Sequence, residues 1–284
     1  MTMLDRRLHA YRPDLAETGL EGKVEATRFV SGTPARVSIP VVALRPQPDL
    51  SRGIDTELLF GEDVTVFDRA DGWCWVKAVS DSYVGYLPQE ALTEAGPAPT
   101  HIVVPQRTFL YREPELRKPY KAVLSMGSRV HIAGKAEARG NHYLVLDDGT
   151  AIFSKHLQPL GALDGQDYVD IASRFLETPY LWGGRSGLGI DCSGLVQLAL
   201  QMTGRSAPRD TDMQAADLGE PIERSDVRRG DLVFWKGHVA IFEDPETIIH
   251  ANGHTMTVAR ENFEGAVERI GWLYERPTGY RRPF

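Results

Sequence analysis

The chain has 284 residues, 42% of them hydrophobic, which is ordinary for a globular protein and too long for one small domain, so two or three domains are expected. A formal net charge of −7 and a pI near 5.7, with no long block of Lys or Arg, exclude a phosphate-tracking stripe, so no nucleic-acid partner is expected. An acidic surface of this kind is also repelled by anionic lipids and wall polymers.

At the amino terminus, Asp5, Arg6 and Arg7 interrupt the apolar run that a secretory signal needs. No later stretch offers the ~20 uncharged apolar residues that cross a bilayer, so no membrane partner is expected. Residues 1–34 match nothing later in the chain and read as an extension, either a short helix or a wrap. Beyond them, shifting the sequence by 66 positions aligns Leu44 with Leu110, Pro48 with Pro114, Leu50 with Leu116, Gly61 with Gly127, Val64 with Val130 and Val66 with Ile132. This is the signature of an internal duplication. Each copy alternates short apolar runs with Gly, Asp and Asn turns, which predicts small all-β units over 35–97 and 98–160. The first copy ends in Gly72-Trp73-Cys74-Trp75-Val76 and Tyr83-Val84-Gly85-Tyr86-Leu87-Pro88 and resembles a bacterial SH3-like barrel. The second resembles it more weakly, with Ala151-Ile152-Phe153 in place of Gly85-Tyr86-Leu87, and Pro97 to Pro99 supply a linker.

From 161 the pattern changes to helices followed by strands. Val169, Ile171, Ala172, Phe175 and Leu176 form a helical apolar face over Asp167 to Leu176. A second helix starts near Asp191 and runs through Leu195, Leu198, Ala199 and Met202 to a stop at Gly204. Leu232-Val233-Phe234-Trp235, the dipeptide Lys236-Gly237 and His238-Val239-Ala240-Ile241-Phe242 predict a hairpin, and Thr247 to Ala251 a further strand. Helices on one antiparallel sheet make 161–284 an α+β domain. The two cysteines, Cys74 and Cys192, fall in different predicted domains, and free thiols in a reducing cytoplasm are expected.

Asp191 has the chemistry of a helix cap, which puts Cys192 at the first helical position beside unpaired backbone N–H groups, where a thiolate is favoured. The alternative is a cysteine packed under the sheet, but Asp191, Ser193 and Gly194 are small, polar flanks for a core site. A nucleophilic thiol needs a base and a group that orients the base. His238 and His250, 12 residues apart on successive strands, are the candidates for both. A zinc site from Cys192, His238, His250 and His254 is the weaker alternative, because Asn252-Gly253 between the last two histidines predicts a turn. No metal or cofactor is expected.

Four ordered motifs, Asp191-Cys192-Ser193-Gly194-Leu195-Val196, Gly230-Asp231-Leu232-Val233-Phe234, Gly237-His238-Val239-Ala240-Ile241 and Ile249-His250-Ala251, resemble the NlpC/p60 cysteine peptidases over 161–284. The resemblance implies a papain-like fold preceded by two SH3-like barrels, with Cys192 as nucleophile, His238 as base and His250 as the third polar residue. It further implies Tyr180 near the oxyanion, although Tyr180 also reads as an aromatic packing a turn. The order of modules is similar to the γ-D-glutamyl-L-diamino acid endopeptidases of murein recycling. That implies murein tri- and tetrapeptides with a free amino-terminal L-Ala as substrates, Asp191 receiving the ammonium with one oxygen while the other caps the helix, and Ser193 lining the groove. It also implies Asp210 and Thr211 at the D-Glu region and Tyr83, with Glu57 or Glu62, as contributions of the first barrel, which would close one end of the groove. A wall-peptide-binding protein with a non-catalytic third domain is the alternative function.

Overall fold

In the computed structural model, which describes residues 4–163, 165–273 and 275–284, the 66-residue offset reappears as two copies of one barrel core. Val37, Leu44, Leu58, Val64, Ala78 and Ala91 are buried in the first core. Their counterparts Val103, Leu110, Leu124, Val130, Leu144 and Leu157 are buried in the second. Gly61 and Gly127 hold the same turn at φ +79° and +89°, a conformation that favours glycine. The first barrel has a five-stranded sheet in the order Val84–Pro88, Trp73–Ala78, Asp63–Ala70, Thr33–Val37, Leu92–Glu94, with Val41–Leu44 and Thr56–Leu59 paired beside it. The two copies touch: the Arg129 N–H donates to the Phe60 carbonyl at 2.8 Å, and Phe60 packs on the second core.

The extension wraps the first barrel. Ala16–Glu17 pairs in parallel with Phe29–Val30, and Ala10 and Leu15 pack on Trp75 and Val84. Arg12 lies 4.4 Å over the Trp75 ring and donates to the Tyr86 hydroxyl at 3.0 Å and to Asp68 at 2.6 Å. The aromatic strand face that the extension covers is therefore closed by a cation and a salt bridge.

Residues Gly161–Phe284 form a separate unit. Its helices are α1 (Tyr168–Ser173), α2 (Cys192–Gln201), α3 (Thr211–Asp217) and α4 (Phe263–Leu273). Its main sheet is antiparallel, in the order Glu220–Ile222, Gly279–Arg282, Leu232–Trp235, His238–Asp244, Thr247–Asn252, Thr257–Asn262. Lys236-Gly237 forms the two-residue turn, with Trp235 opposite His238 and Gly237 at φ +76°. One face buries Val233, Trp235, Ala240, Phe242 and Ile248 against Phe263, Ala266 and Ile270 of α4, while α2 packs on the two strands that carry the histidines. α1 is shorter than the apolar pattern predicts: Asp167 caps it through the Val169 N–H, and it gives way to turns after Ser173.

Candidate active site

Asp191 caps α2, its Oδ1 accepting the Gly194 N–H at 2.7 Å, and Cys192 is the first helical residue. The cap is also a buried ion pair. Arg209, 1% exposed, donates Nη1 to Asp191 Oδ1 at 3.0 Å and Nη2 to Oδ2 at 2.8 Å, and Nη1 also reaches the Ser193 hydroxyl at 2.9 Å. Oδ2 takes a further bond from the Gly183 N–H at 2.9 Å, so the Tyr180–Gly184 turn is fastened to the start of α2. Gly194 has no room for a side chain, since a Cβ there would sit 2.5 Å from the Gly184 carbonyl.

The thiol of Cys192 lies 3.9 Å from the Thr211 hydroxyl and accepts the backbone N–H of Val239, the residue after His238. Burial, then the charge of Asp191, pushes this thiol up to about 11, against the pull of the Val239 N–H, Thr211 and Arg209. At this helix start the adjacent carboxylate and the exclusion of water oppose the thiolate that the cap position favours.

The sheet aligns the remaining groups on a diagonal. Ile241 opposite Ile249 places His238 and His250 at diagonal neighbours, and His250 opposite Ala259 does the same for Glu261. His238 Nε2 is 2.9 Å from His250 Nδ1, His250 Nε2 is 3.1 Å from Glu261 Oε2, and Arg269 holds Glu261 through Nε at 2.9 Å and through Nη2. Burial draws Glu261 upward, but the bonds from His250 and Arg269 outweigh it and bring its carboxyl to about 2. An ionised Glu261 only accepts, so His250 donates from Nε2 and accepts at Nδ1, and His238 in turn donates from Nε2. Nδ1 of His238 is left as the basic nitrogen. Burial, the largest cause, with the charge of Arg269 nearby, lowers His238 to about 3. Both shifts favour a neutral thiol and a neutral imidazole over an ion pair.

Beside His238 lies a cavity of about 600 Å³, whose lining includes Tyr180, Trp182, Trp235, Lys236, His254 and Arg269. All of these belong to the carboxyl-terminal unit.

A model of the NlpC/P60 family matches residues 177–270, and one described as the bacterial dipeptidyl-peptidase Sh3 domain matches 44–92. The gamma-D-glutamyl-L-lysine dipeptidyl-peptidase of Bacillus subtilis (strain 168) is 30% identical over 215 residues, covering 70% of this chain and 68% of that protein. The chain belongs to the NlpC/P60 family. Dipeptidyl-peptidase 6 of Lysinibacillus sphaericus is 27% identical over 228 residues, covering 74% and 84%. The crystal structure of an NlpC/P60 family protein from Bacillus cereus ATCC 10987 shares the fold with a TM-score of 0.75 at 21% identity, over 88% of this chain and 99% of that one. This NlpC/P60 chain is thus a cysteine peptidase with a bacterial SH3 domain.

Within the carboxyl-terminal unit of this peptidase, Cys192, Thr211 and Val239 gather at one point, His238, His250 and Glu261 form a relay, and Tyr180 and His238 line one cavity. Asp210 precedes α3. Both oxygens of Asp191 are engaged by Arg209 and by backbone N–H groups. The Ser193 hydroxyl donates to Asp191 and accepts from Arg209, which makes it part of the same buried network. In the amino-terminal unit, Tyr83 belongs to the first barrel's core. Glu62 ties its own turn through the Leu59 N–H at 2.8 Å, and Glu57 is buried on the neighbouring strand. Sequence reasoning missed Glu261, Arg269 and Arg209. The available signal for Glu261 was the Asn252-Gly253 turn, which returns the chain as a strand that carries a carboxylate diagonally opposite His250.

Proposed function

We propose that this chain hydrolyses the bond between γ-D-Glu and the diamino acid in peptidoglycan-derived tri- and tetrapeptides that carry a free amino-terminal L-Ala. The relay His238–His250–Glu261, on a strand whose Val239 N–H bonds the helix-start thiol, carries the reading, because it supplies one base to one nucleophile. Its relatives are named for the γ-D-glutamyl-L-lysine bond.

Cys192 Sγ attacks the γ-carbonyl carbon and its proton passes to His238 Nδ1. The C–N bond then breaks as His238 returns that proton to the departing amine, leaving a thioester. Water, losing a proton to the same nitrogen, hydrolyses the thioester and releases the acid and the free thiol. The neutral starting pair suits this sequence, since proton transfer accompanies attack and no charge is stored in the empty site. The Cys192 backbone N–H and the Tyr180 phenol stabilise the oxyanion. Thr211 and Asp210 meet the D-Glu portion. Asp191, neutralised by Arg209, holds Cys192 in place. Tyr83, with Glu57 or Glu62, is assigned to recognition of the ammonium, as the resemblance implies. Two unpaired cysteines suit the cytoplasm, where such peptides are recycled.

The test is mass spectrometry of a muropeptide panel that includes free and N-acetylated L-Ala-γ-D-Glu-diamino acid. Cleavage of the free peptide alone is expected, lost in Cys192→Ala and less selective in Tyr83→Phe. Equal cleavage of both forms would remove the amino-terminal requirement, and cleavage at another bond would remove the reading.

A further inference from the structure

Glu261 stands at the end of the relay, and an ionised carboxylate bonded to an imidazole ordinarily draws a proton onto it. In this chain that carboxylate has a second partner. Arg269 of α4 grips it as a fork, Nε to Oε1 at 2.9 Å and Nη2 to Oε2, the same oxygen that meets His250 Nε2 at 3.1 Å. The fork fixes the plane of the carboxylate, and with it the direction from which Oε2 faces His250. The two residues come from different elements, Glu261 from the edge strand Thr257–Asn262 and Arg269 from α4, whose Ala266 and Ile270 pack on the sheet. A tie between strand and helix does not account for the pair. Its side chains are 22% and 25% exposed, and ion pairs with that access to water add little to stability.

We propose that Arg269 is a positioning residue of the relay, neutralising Glu261 so that the carboxylate orients His250 without drawing a proton onto the imidazoles; this rests on His238 as the base of the hydrolysis proposed above. A guanidinium keeps its proton in proteins, so its charge is constant wherever the enzyme works. Glu261 and Arg269 together carry no net charge, whereas Glu261 alone would present a full negative one. The two act on His238 in opposite senses, Glu261 raising it and Arg269 lowering it. The other ionisable groups around the pair are Cys192 and Asp191 at the start of α2, Lys236 in the hairpin turn and His254 beyond the strand of His250, and Asp191 is held by Arg209. Arg260, opposite Ile249 and bonded to Glu243, lies on the other face of the sheet. A substitution at Arg269 changes none of these. The sign of its effect follows: loss of the guanidinium charge stabilises protonated His238, which cannot take the thiol proton, so the acid limit of turnover moves up.

The experiment records the pH dependence of kcat/KM on L-Ala-γ-D-Glu-L-lysine for the intact enzyme, for Arg269→Gln, which keeps a side-chain donor but loses the charge, and for Arg269→Lys, which keeps the charge but loses the fork. In parallel, NMR follows the imidazole nitrogens of His238 and His250 through a pH titration of Cys192→Ala, with and without each Arg269 substitution. The acid limb and the His238 titration should both move up by about one pH unit in Arg269→Gln and by less than about 0.3 in Arg269→Lys, and Glu261→Gln/Arg269→Gln should bring them back towards the parent. Thermal midpoints close to the parent's establish that the variants are folded. A fall in kcat with the acid limb and the titration in place, or an equal rise in Arg269→Lys, would overturn the proposal and leave the hydrolase intact. If the imidazoles respond as expected while the peptide is not cut, or is cut equally well by His238→Ala, the anchor stands and the assignment of reaction or base falls. Imidazoles indifferent to Arg269→Gln in a protein that cuts no peptide overturn both.

Discussion

A buried thiol at about 11 beside an imidazole at about 3 has a consequence that separates this residue pair from a preformed thiolate–imidazolium pair. Alkylation needs thiolate, and the thiolate fraction of an isolated group grows about tenfold per pH unit below its pKa. Iodoacetamide labelling of Cys192 should therefore climb steadily from pH 6 to beyond 9. A plateau through neutrality would show a preformed ion pair. Turnover runs from the neutral pair, so its acid limb follows the lowered His238 and lies well below the ordinary imidazole value, while its alkaline limb follows the raised thiol. kcat/KM is then flat across neutrality. Replacing Glu261 with Gln removes the charge that fixes the relay's polarity; kcat should fall by about 10–100-fold with KM little changed, because Glu261 acts through His250 and not on substrate.

Among the elements, the start of α2 is held by charge more than by helix propensity. Removing one partner of a buried ion pair leaves the other uncompensated, at about 3–5 kcal/mol. Arg209→Ala should cost that much in urea denaturation and reduce activity through displacement of Cys192, whereas Arg209→Lys, with no fork for two oxygens, should recover only part of it. Equal stability of Arg209→Ala and the parent would show that the pair contributes nothing. None of this is written locally in the sequence. Asp191 announces a cap by its neighbours, but its ion-pair partner lies 18 residues away and no periodicity links them. The hairpin at Lys236-Gly237 was legible because a two-residue turn fixes register, and register then fixes where His238 sits. Thr257–Asn262 was not, since its alternation is half polar and lies at the sheet edge, so the strand that delivers Glu261 went unread. The same limit explains Asp191 itself: chemistry suggested one oxygen for the cap and one for a ligand, and only tertiary contacts show both engaged.

Across the whole molecule, the duplication was readable because barrel cores tolerate few changes at their inward positions, while the extension that covers Trp75 had no counterpart to compare. Gly61 is where the two copies meet, and a Cβ there would overlap the Arg129 carbonyl at a positive φ. Gly61→Ala should lower stability by on the order of 2–4 kcal/mol, against less than about 1 kcal/mol for Gly134→Ala, where an added Cβ meets nothing within 4 Å. Similar thermal midpoints for the two variants would contradict the contact. Two cores on one chain with matching strand order also invite exchange of strands during synthesis, when the first copy emerges before the second. A few inward positions differ between the copies as well: Ala78 against Leu144, Ala91 against Leu157, Gly85 against Ala151. A strand of the second copy placed in the first would drive leucine into space shaped for alanine, and one placed the other way would leave a void. Divergence between the repeats thus acts as proofreading of their own pairing.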